Sequence, residues 1–190
     1  MTPEIIFIVG PQGCGKGTQG KKLAEQLGFF FWGMGKILRE IAAEKSALSE
    51  KVIAIDKGAL LPDEVIFEVV MQRLPFLIHE KGIVFDGIPR RIEQGHFLLQ
   101  YLRASGRKEM ATVLIDLPRE ESVKRLLERA KKENRVDDTP DAIEMRFHYY
   151  DQAIKPTIEY LEHETKFVKV NGEQPIDKVF ADIERELGLG

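Results

Sequence analysis

Hydrophobic positions along the chain fall into two alternating kinds of segment. Short runs of β-branched and aromatic residues are apolar at every position, and longer segments repeat apolar residues at helical spacing. The short runs predict strands at about residues 5–9, 29–32, 83–85, 113–115 and 167–170. The amphipathic segments predict helices at about residues 17–27, 36–45, 63–79, 91–104, 119–132, 140–163 and 175–187.

This alternation predicts an α/β fold with a five-stranded parallel sheet covered by helices on both faces. In such sheets, ligands bind where the strands end at their carboxyl termini. A chain of 190 residues suits one compact domain. Two stretches look less committed to a core and are candidates for moving parts: about 33–62, which has a polar connection at 56–58, and the highly charged 131–140.

Composition and charge exclude several classes of protein. The chain is 43% hydrophobic and 31% charged, with a formal net charge of −3. This charge gives no general attraction to nucleic acid or to acidic membranes, so a bound anion needs a local cluster of basic groups. The single cysteine, Cys14, excludes an internal disulfide and a cysteine-based zinc site.

The apolar runs and the chain start bear on location. No apolar run approaches the roughly 20 residues that a membrane span requires. The first residues, Met1 to Glu4, lack the basic region of a signal peptide. We therefore expect a cytoplasmic protein.

A glycine-rich loop follows the first strand directly and leads into a helix. It runs from Gly10 to Thr18, and its glycines let successive main-chain N–H groups point at phosphate oxygens. Lys16 adds a positive charge that can reach the β- and γ-phosphates. Most such loops have Ser or Thr directly after the lysine, whereas here Gly17 intervenes and Thr18 follows. Within the loop, Cys14 is interpreted as a small filler side chain. The loop predicts binding of the phosphates of a nucleoside triphosphate.

The third predicted strand ends in a second group of chemically active residues. Asp86 is placed to hold magnesium through water, because it stands at the carboxyl end of a strand beside the phosphate loop. Arg90 follows in the same loop and offers a planar fork for a phosphate. Gln94 can pair donor and acceptor groups with an adenine edge. The four histidines are scattered, and no pair predicts a metal site.

With these residues in place, the chain resembles the adenylate kinase family of nucleoside monophosphate kinases over nearly its whole length. Residues 86–94 are similar to the family segment D-G-F-P-R-x-x-x-Q. Residues 10–18 are similar to its loop G-x-P-G-x-G-K-G-T, including the Gly17-Thr18 order. Further similarities are residues 35–39 to G-D-x-L-R, residues 125–129, 134–138 and Arg146 to the lid region, and residues 171–175 to the turn whose backbone contacts the ATP base.

The resemblance implies an enzyme that moves the γ-phosphate of ATP to AMP, giving two ADP, with Mg²⁺ bound to ATP. It implies a P-loop nucleoside kinase fold with a mobile NMP-binding segment at about 33–62 and a short lid at about 130–140. The core would then comprise 1–32, 63–129 and 141–190. The lid is the short form without a zinc-binding insertion, so no structural zinc is expected. The partners are ATP and AMP only, and we expect a monomer that binds neither nucleic acid nor membrane.

The resemblance also implies roles for individual residues. The groups around the transferred phosphate would be Lys16, Arg90, Arg129, Arg135 and Arg146, with Asp86 holding water on magnesium. The ATP site would comprise Gly13, Cys14, Gly15, Lys16, Gly17, Thr18, Arg125, Arg129 and Gln174. The AMP site would comprise Met34, Gly35, Arg39, Leu60, Gly87, Arg90, Gln94, Arg135 and Arg146.

The sequence departs from the family pattern mainly on the acceptor side. Met34 stands where the family usually has threonine, and Lys36 stands where G-D-x-L-R has aspartate. Both lie where the acceptor nucleoside would bind. Ile88 replaces the phenylalanine of D-G-F-P-R, which is interpreted as a packing exchange. These departures bear on the acceptor base more than on the transfer chemistry.

Two alternatives stay open at this point. A UMP/CMP kinase would use the same fold and chemistry, but that family typically has asparagine at the position of Gln94. A nucleotide-dependent switch would share the phosphate loop. Such a switch has no need for an acceptor pocket built from Arg39, Arg90 and Gln94.

Overall fold

The structure is a computed structural model that describes residues 2–53, 61–133 and 139–189. Two of the predicted site residues, Leu60 and Arg135, lie outside the described residues. The same is true of residues 134–138 of the predicted lid and residues 54–60 of the predicted NMP-binding segment. The statements below concern the described ranges.

Within these ranges, five parallel strands form one sheet in the order β2-β3-β1-β4-β5. The strands are β1 (Ile5–Val9), β2 (Phe30–Gly33), β3 (Ile83–Asp86), β4 (Met110–Asp116) and β5 (Lys166–Asn171). The predicted parallel sheet is confirmed. Strand β4 begins three residues earlier than predicted, because its pairing with β1 extends back to Met110 opposite Ile5. The order places β1 at the centre, so the loop that follows it emerges in the middle of one edge.

Helices cover both faces of the sheet. They are α1 (Lys16–Leu27), α2 (Met34–Ala43), α3 (Ala47–Ile53), α4 (Asp63–Arg73), α5 (Ile92–Ala104), α6 (Arg119–Glu133), α7 (Pro140–Tyr149), α8 (Lys155–Glu164) and α9 (Ile176–Leu187). The helix predicted over 63–79 is wrong at its end. Helix α4 stops at Arg73 and continues as a short 3₁₀ turn, because Pro75 in that turn has no N–H to donate.

The helix predicted over 140–163 is interrupted by one wider turn. Helix α7 ends at Tyr149, and a π turn over Tyr150–Ile154 joins it to α8. The N–H of Lys155 bonds to the carbonyl of Tyr150, five residues earlier. The next residue, Pro156, cannot donate, which weakens the regular ladder at this point.

The core lies on both faces of the sheet. On one face, Phe7 stacks on Phe85 with ring centroids 5.3 Å apart, and Trp32 packs beside them. On the other face, Leu23 of α1 and Ile183 of α9 cover the central strands. Tyr150 is buried in the first core, whereas its neighbour Tyr149 is only half-buried. Among the described residues, no helix has both the length and the apolar character to cross a bilayer.

Candidate active site

The phosphate loop is held in shape by glycine. Gly10 has a φ of 142° and follows β1 directly, and a Cβ there would lie 2.4 Å from the carbonyl oxygen of Ile115. Only glycine fits such a close approach to a neighbouring strand. Gly15 precedes the first residue of α1 with a φ of 97°. The loop therefore packs on β4 and leads its N–H groups to the start of α1, where a helix favours anions.

Lys16 is the first residue of α1, and its ammonium group turns back over the loop. It donates to the carbonyl oxygens of Gly10 at 2.9 Å and Pro11 at 2.7 Å. The same group lies 3.7 Å from the Cys14 sulfur. Burial raises the pKa of Cys14, and the charge of Lys16 opposes this rise only in part. Cys14 thus fills the loop as a neutral thiol, in agreement with the sequence interpretation.

Asp86 ends β3 beside the loop. Its carboxylate oxygen lies 3.3 Å from the position that a Cβ on Gly17 would occupy. Burial raises the pKa of Asp86, while the charges of Lys16, Arg90 and Lys21 pull it down. A carboxylate held between these cations next to a phosphate loop fits a role at the edge of a bound metal ion.

A cleft joins the two phosphate-binding regions that the sequence predicts. Lys16 and Gln12 line it from the phosphate loop, and Gly87 and Arg90 line it from the loop after β3. Arg90 is exposed at the rim and lies within electrostatic reach of Asp86 and Arg146. The fold thus brings Lys16, Asp86 and Arg90 to one place at the carboxyl edge of the sheet.

Gln12 is a cleft residue that the sequence analysis did not single out. It stands where the family loop quoted above has proline. Its Nε2 donates to the main-chain oxygen of Arg146 at 3.4 Å, and its main-chain oxygen accepts from the Ser122 hydroxyl. Its Oε1 is buried without a partner among the described residues. The signal that could have found Gln12 was its replacement of the proline.

Arg125 and Gln174, the residues predicted to lie at the ATP base, both make contacts within the protein. Arg125 of α6 donates to the main-chain oxygens of Gly172 at 3.0 Å and Glu173 at 3.5 Å, and to Glu121 at 2.8 Å. The structure therefore brings Arg125 to the turn after β5. Gln174 in this turn directs its side chain to Asp182 at 2.7 Å.

Residues that are predicted to bind the acceptor nucleotide lie around Gly87. This residue has a φ of 83°, and a Cβ there would lie 3.3 Å from Met34 Cβ and 3.4 Å from Arg90 Nη2. A Cβ on Gly35 would lie 3.5 Å from Arg39 Nη1. Met34 and Gly35 open α2, so the start of this helix faces the loop that carries Arg90. The exposed guanidinium of Arg39 lies beside the same helix start.

The two residues at this helix start that depart from the family pattern differ in burial. Met34 is 2% exposed and packs in the core beneath Gly87. Lys36 points outward, 75% exposed, with its ammonium group 3.5 Å from Glu40. The structure places Lys36 in a surface ion pair on α2.

Gln94 lies on α5 and is almost fully buried, at 4% exposure. Its Oε1 accepts from the main-chain N–H of Arg90 at 2.8 Å, and its Nε2 donates to Asp63 at 2.8 Å. Arg91 donates to the same oxygen of Asp63 at 3.0 Å and to the carbonyl of Leu61 at 3.3 Å. Asp63 and Arg91 were not predicted as site residues, because no local pattern shows that the start of α4 meets the start of α5.

The remaining predicted arginines lie on the helices that flank residues 134–138. Arg129 on α6 and Arg146 on α7 are both half-buried. Arg146 is joined to the phosphate loop through the Gln12 contact to its main-chain oxygen. Arg135, as stated above, lies outside the described residues.

The part of the chain that the structure describes has no cluster of three metal-binding side chains. Mg²⁺ that travels with ATP does not need one, because the phosphates and water supply most of its ligands. Asp86, one carboxylate against the phosphate loop, is the kind of group that such an ion uses. The residues present therefore fit a magnesium–nucleotide complex.

Comparison with known proteins agrees with this geometry. The family model described as adenylate kinase matches residues 8–166. The adenylate kinase of Thermus thermophilus is 35% identical over 187 residues, which cover 98% of both chains. That of Phocaeicola vulgatus is 34% identical over 179 residues, covering 94% of this chain and 95% of the relative. Adenylate kinase isoenzyme 1 of Caenorhabditis elegans is 34% identical over 180 residues, covering 93% and 84%. A phosphate loop, an adjacent carboxylate and an acceptor loop in one cleft, together with these matches, show that the chain belongs to the adenylate kinase family.

Proposed function

We propose that the protein transfers the γ-phosphate of ATP to AMP and gives two molecules of ADP. The observation that carries this proposal is the shared cleft, which Lys16 lines from the phosphate loop and Arg90 lines from the loop after β3. A donor phosphate and an acceptor phosphate held on these two residues would meet in the middle. The family membership supports the same reaction.

The reaction depends on positioning and on neutralising charge more than on covalent chemistry. The acceptor phosphate oxygen is already a nucleophile, so no general base is required. Lys16 now bonds to two carbonyl oxygens of its own loop, and bound phosphates would take over these bonds. Arg90 would hold the acceptor phosphate in line. Arg129, Arg135 and Arg146 would balance the charge that spreads over the transferred group.

Magnesium would enter with ATP and neutralise charge on its β- and γ-phosphates. Asp86 would orient one of the water ligands of the ion, because its carboxylate lies beside Gly17 at the start of α1. Thr18, exposed one residue further along, is the nearest loop hydroxyl. Main-chain N–H groups of Gly13, Cys14, Gly15 and Gly17 would bind the phosphate oxygens.

The two nucleosides would bind on opposite sides of this centre. Arg125 would lie over the ATP base, and its contacts to the main-chain oxygens of Gly172 and Glu173, in the turn that holds Gln174, support this. The acceptor nucleoside would lie between the start of α2 and α5. Its contacts would come from Met34, Gly35, Arg39, Leu60, Gly87 and Gln94.

The division into core, NMP-binding segment (about 33–62) and lid (about 130–140) remains part of the proposal. Closing over both substrates would keep water from the γ-phosphate. A bisubstrate mimic that joins two adenosines through phosphates should protect residues 131–139 from hydrogen exchange. Unchanged exchange at saturating mimic would contradict the closure. The expectation of a cytoplasmic monomer with ATP and AMP as its partners also stays a proposal.

The alternatives are less well supported. A UMP/CMP kinase is not favoured, because Gln94 stands where that family typically has asparagine and because the relatives described above are adenylate kinases. A switch without an acceptor nucleotide gives no reason for Arg90 to line the cleft opposite Lys16.

A phosphate-acceptor screen tests the proposal. ADP formation from ATP would be measured with AMP, CMP, UMP, GMP, dTMP or no acceptor. We expect AMP to exceed CMP in kcat/KM by roughly ten to a few hundred. We also expect only slow hydrolysis when no acceptor is present. Equal or better use of CMP or UMP would overturn the choice of AMP, and ATP turnover that ignores every acceptor would favour a switch.

A further inference from the structure

The orientation of the Gln94 amide is fixed by two neighbours of opposite hydrogen-bonding character. The main-chain N–H of Arg90 donates to Oε1, and Nε2 donates to Asp63 Oδ1, both at 2.8 Å. A main-chain N–H can only donate, and a carboxylate can only accept. Turning the amide by 180° would set N–H against N–H and oxygen against oxygen. Only the observed orientation satisfies both neighbours.

Asp63 is itself held in place by the fold. Arg91 Nη1 donates to the same carboxylate oxygen at 3.0 Å and to the carbonyl of Leu61 at 3.3 Å. The Asp63 side chain is 20% exposed and belongs to the first residue of α4. Its oxygen is therefore a fixed acceptor that faces α5, and Gln94 adapts to it.

Among the residues that the structure describes, the Gln94 amide makes only these two contacts, which leaves it a defined free edge. An amide oxygen has two lone pairs and an amide nitrogen has two hydrogens. Gln94 therefore keeps one lone pair on Oε1 and one hydrogen on Nε2 for a further hydrogen bond each. A base that packs against this edge would meet an acceptor and a donor in a fixed order. Adenine presents its 6-amino donor beside the N1 acceptor. Guanine presents a 6-oxo acceptor beside an N1–H donor, which is the reverse order.

We propose that Asp63 is a positioning residue for acceptor-base specificity. By holding Gln94 in one orientation, it selects a 6-amino purine monophosphate over a 6-oxo purine monophosphate. This inference rests on the proposed function, in which Gln94 lies at the acceptor base. Asp63 touches neither the phosphates nor the base and acts through the amide alone.

The test measures kcat/KM for AMP and GMP at fixed saturating ATP. Asp63→Ala removes the fixed acceptor, and the AMP-over-GMP ratio should fall by about tenfold, the size expected for one oriented hydrogen bond. Asp63→Asn keeps an oxygen at the same place and should retain most of the ratio. Glu64→Ala is the matched control, because Glu64 is an exposed acid in the same first turn of α4. It should leave the ratio unchanged, and KM for ATP should stay constant in all three variants.

The outcomes separate this inference from the proposed function. If Gln94→Ala lowers the AMP-over-GMP ratio but Asp63→Ala does not, the role of Asp63 is wrong and the function stands. The inference is also overturned if Asp63→Ala weakens AMP and GMP equally, or if Asp63→Asn loses as much selectivity as Asp63→Ala. If the unmodified protein phosphorylates GMP or CMP at least as well as AMP, the proposed acceptor itself is wrong.

Discussion

The phosphate loop and the base end of the acceptor site are built in different ways. In the loop, the important contacts are local: Lys16 bonds to Gly10, six residues earlier in the chain. At the proposed site of the acceptor base, Gln94 bonds to Asp63, 31 residues away and on another helix. A local contact is specified by a short motif, whereas the distant one exists only after α4 and α5 have packed. The groups for phosphate transfer can therefore be read from the motif, whereas the contact that orients Gln94 cannot.

Removing the loop cation should have the largest effect. Lys16→Met should lower kcat by about 10²–10³-fold, because the ammonium group would neutralise charge on the transferred phosphate. Lys22→Met is the matched control, since Lys22 lies on the same helix but pairs with Asp177 at the surface. Steady-state kinetics, with circular dichroism to show that both variants fold, would check this. Near-normal turnover in folded Lys16→Met would remove the proposed mechanism.

Replacing Asp86 with a neutral residue should lower activity but raise thermal stability. Burial raises the pKa of Asp86, so the folded protein holds this proton more tightly than the unfolded chain does. The stability contributed by the protonated form is therefore present below the unfolded-state pKa and is lost as pH rises through the folded-state pKa. Asp86→Asn should lower kcat by at least tenfold yet raise Tm at neutral pH, by about 2–4 °C per kcal/mol gained.

Thermal unfolding in buffer free of nucleotide and metal would measure the stability change. The gain in Tm of Asp86→Asn over the unmodified protein should shrink at about pH 3.5, because the Asp86 carboxyl is then protonated in the folded protein. Asp116→Asn is the control, because Asp116 also ends a strand but is half-exposed and paired with Lys169. A drop in Tm for Asp86→Asn at neutral pH would contradict the prediction.

Truncating the acceptor amide should have a smaller effect, confined to base selection. Gln94→Ala should reduce the AMP-over-CMP ratio in kcat/KM several-fold, because the adenine edge loses its paired donor and acceptor. Since the change lies away from Lys16, KM for ATP should not move. Competition assays with both acceptors present would measure the ratio directly. An unchanged ratio would place the acceptor base elsewhere.

The smallest effect concerns Cys14, a loop side chain that is only 3% exposed. Burial raises its pKa and shields the sulfur, so alkylation by iodoacetamide at about pH 8 should be at least tenfold slower than in the unfolded chain. Mass spectrometry of the labelled protein over time would give both rates. Rapid labelling of the native protein would mean that the loop opens without ligand.

Much of the sheet could be predicted because β-branched and aromatic runs mark strands that are buried on both faces. The start of β4 was missed, since Met110 and Ala111 carry no such pattern and become strand only by pairing with β1. Helix α3 was not predicted as a helix of its own, because its seven residues are too few to show a clear helical repeat. Such boundaries depend on packing that a single sequence does not display.

The residues of the candidate site could likewise be predicted only where a local motif marks them. The sequence indicated Lys16, Asp86 and Arg90, and the fold brings them into one cleft or against its edge. Asp63 could not be indicated, because its role requires knowing which helix starts face each other. Gln12 was visible only as a departure from a pattern, and its contact to α7 depends on how that helix lies over the loop.

The π turn at 150–154 has a consequence for how this chain tolerates changes in length. The wider turn holds one more residue than a regular one, so it takes up that residue without turning α8 away from the side that it would face in an unbroken helix. Deleting one residue within this turn should therefore leave a regular helix in which Ile158 and Leu161 stay in the core where they are now buried. A deletion of the same size inside α7 or α8 has no extra residue to remove, so it would rotate the residues beyond it by about 100° and turn them away from the face that they now bury.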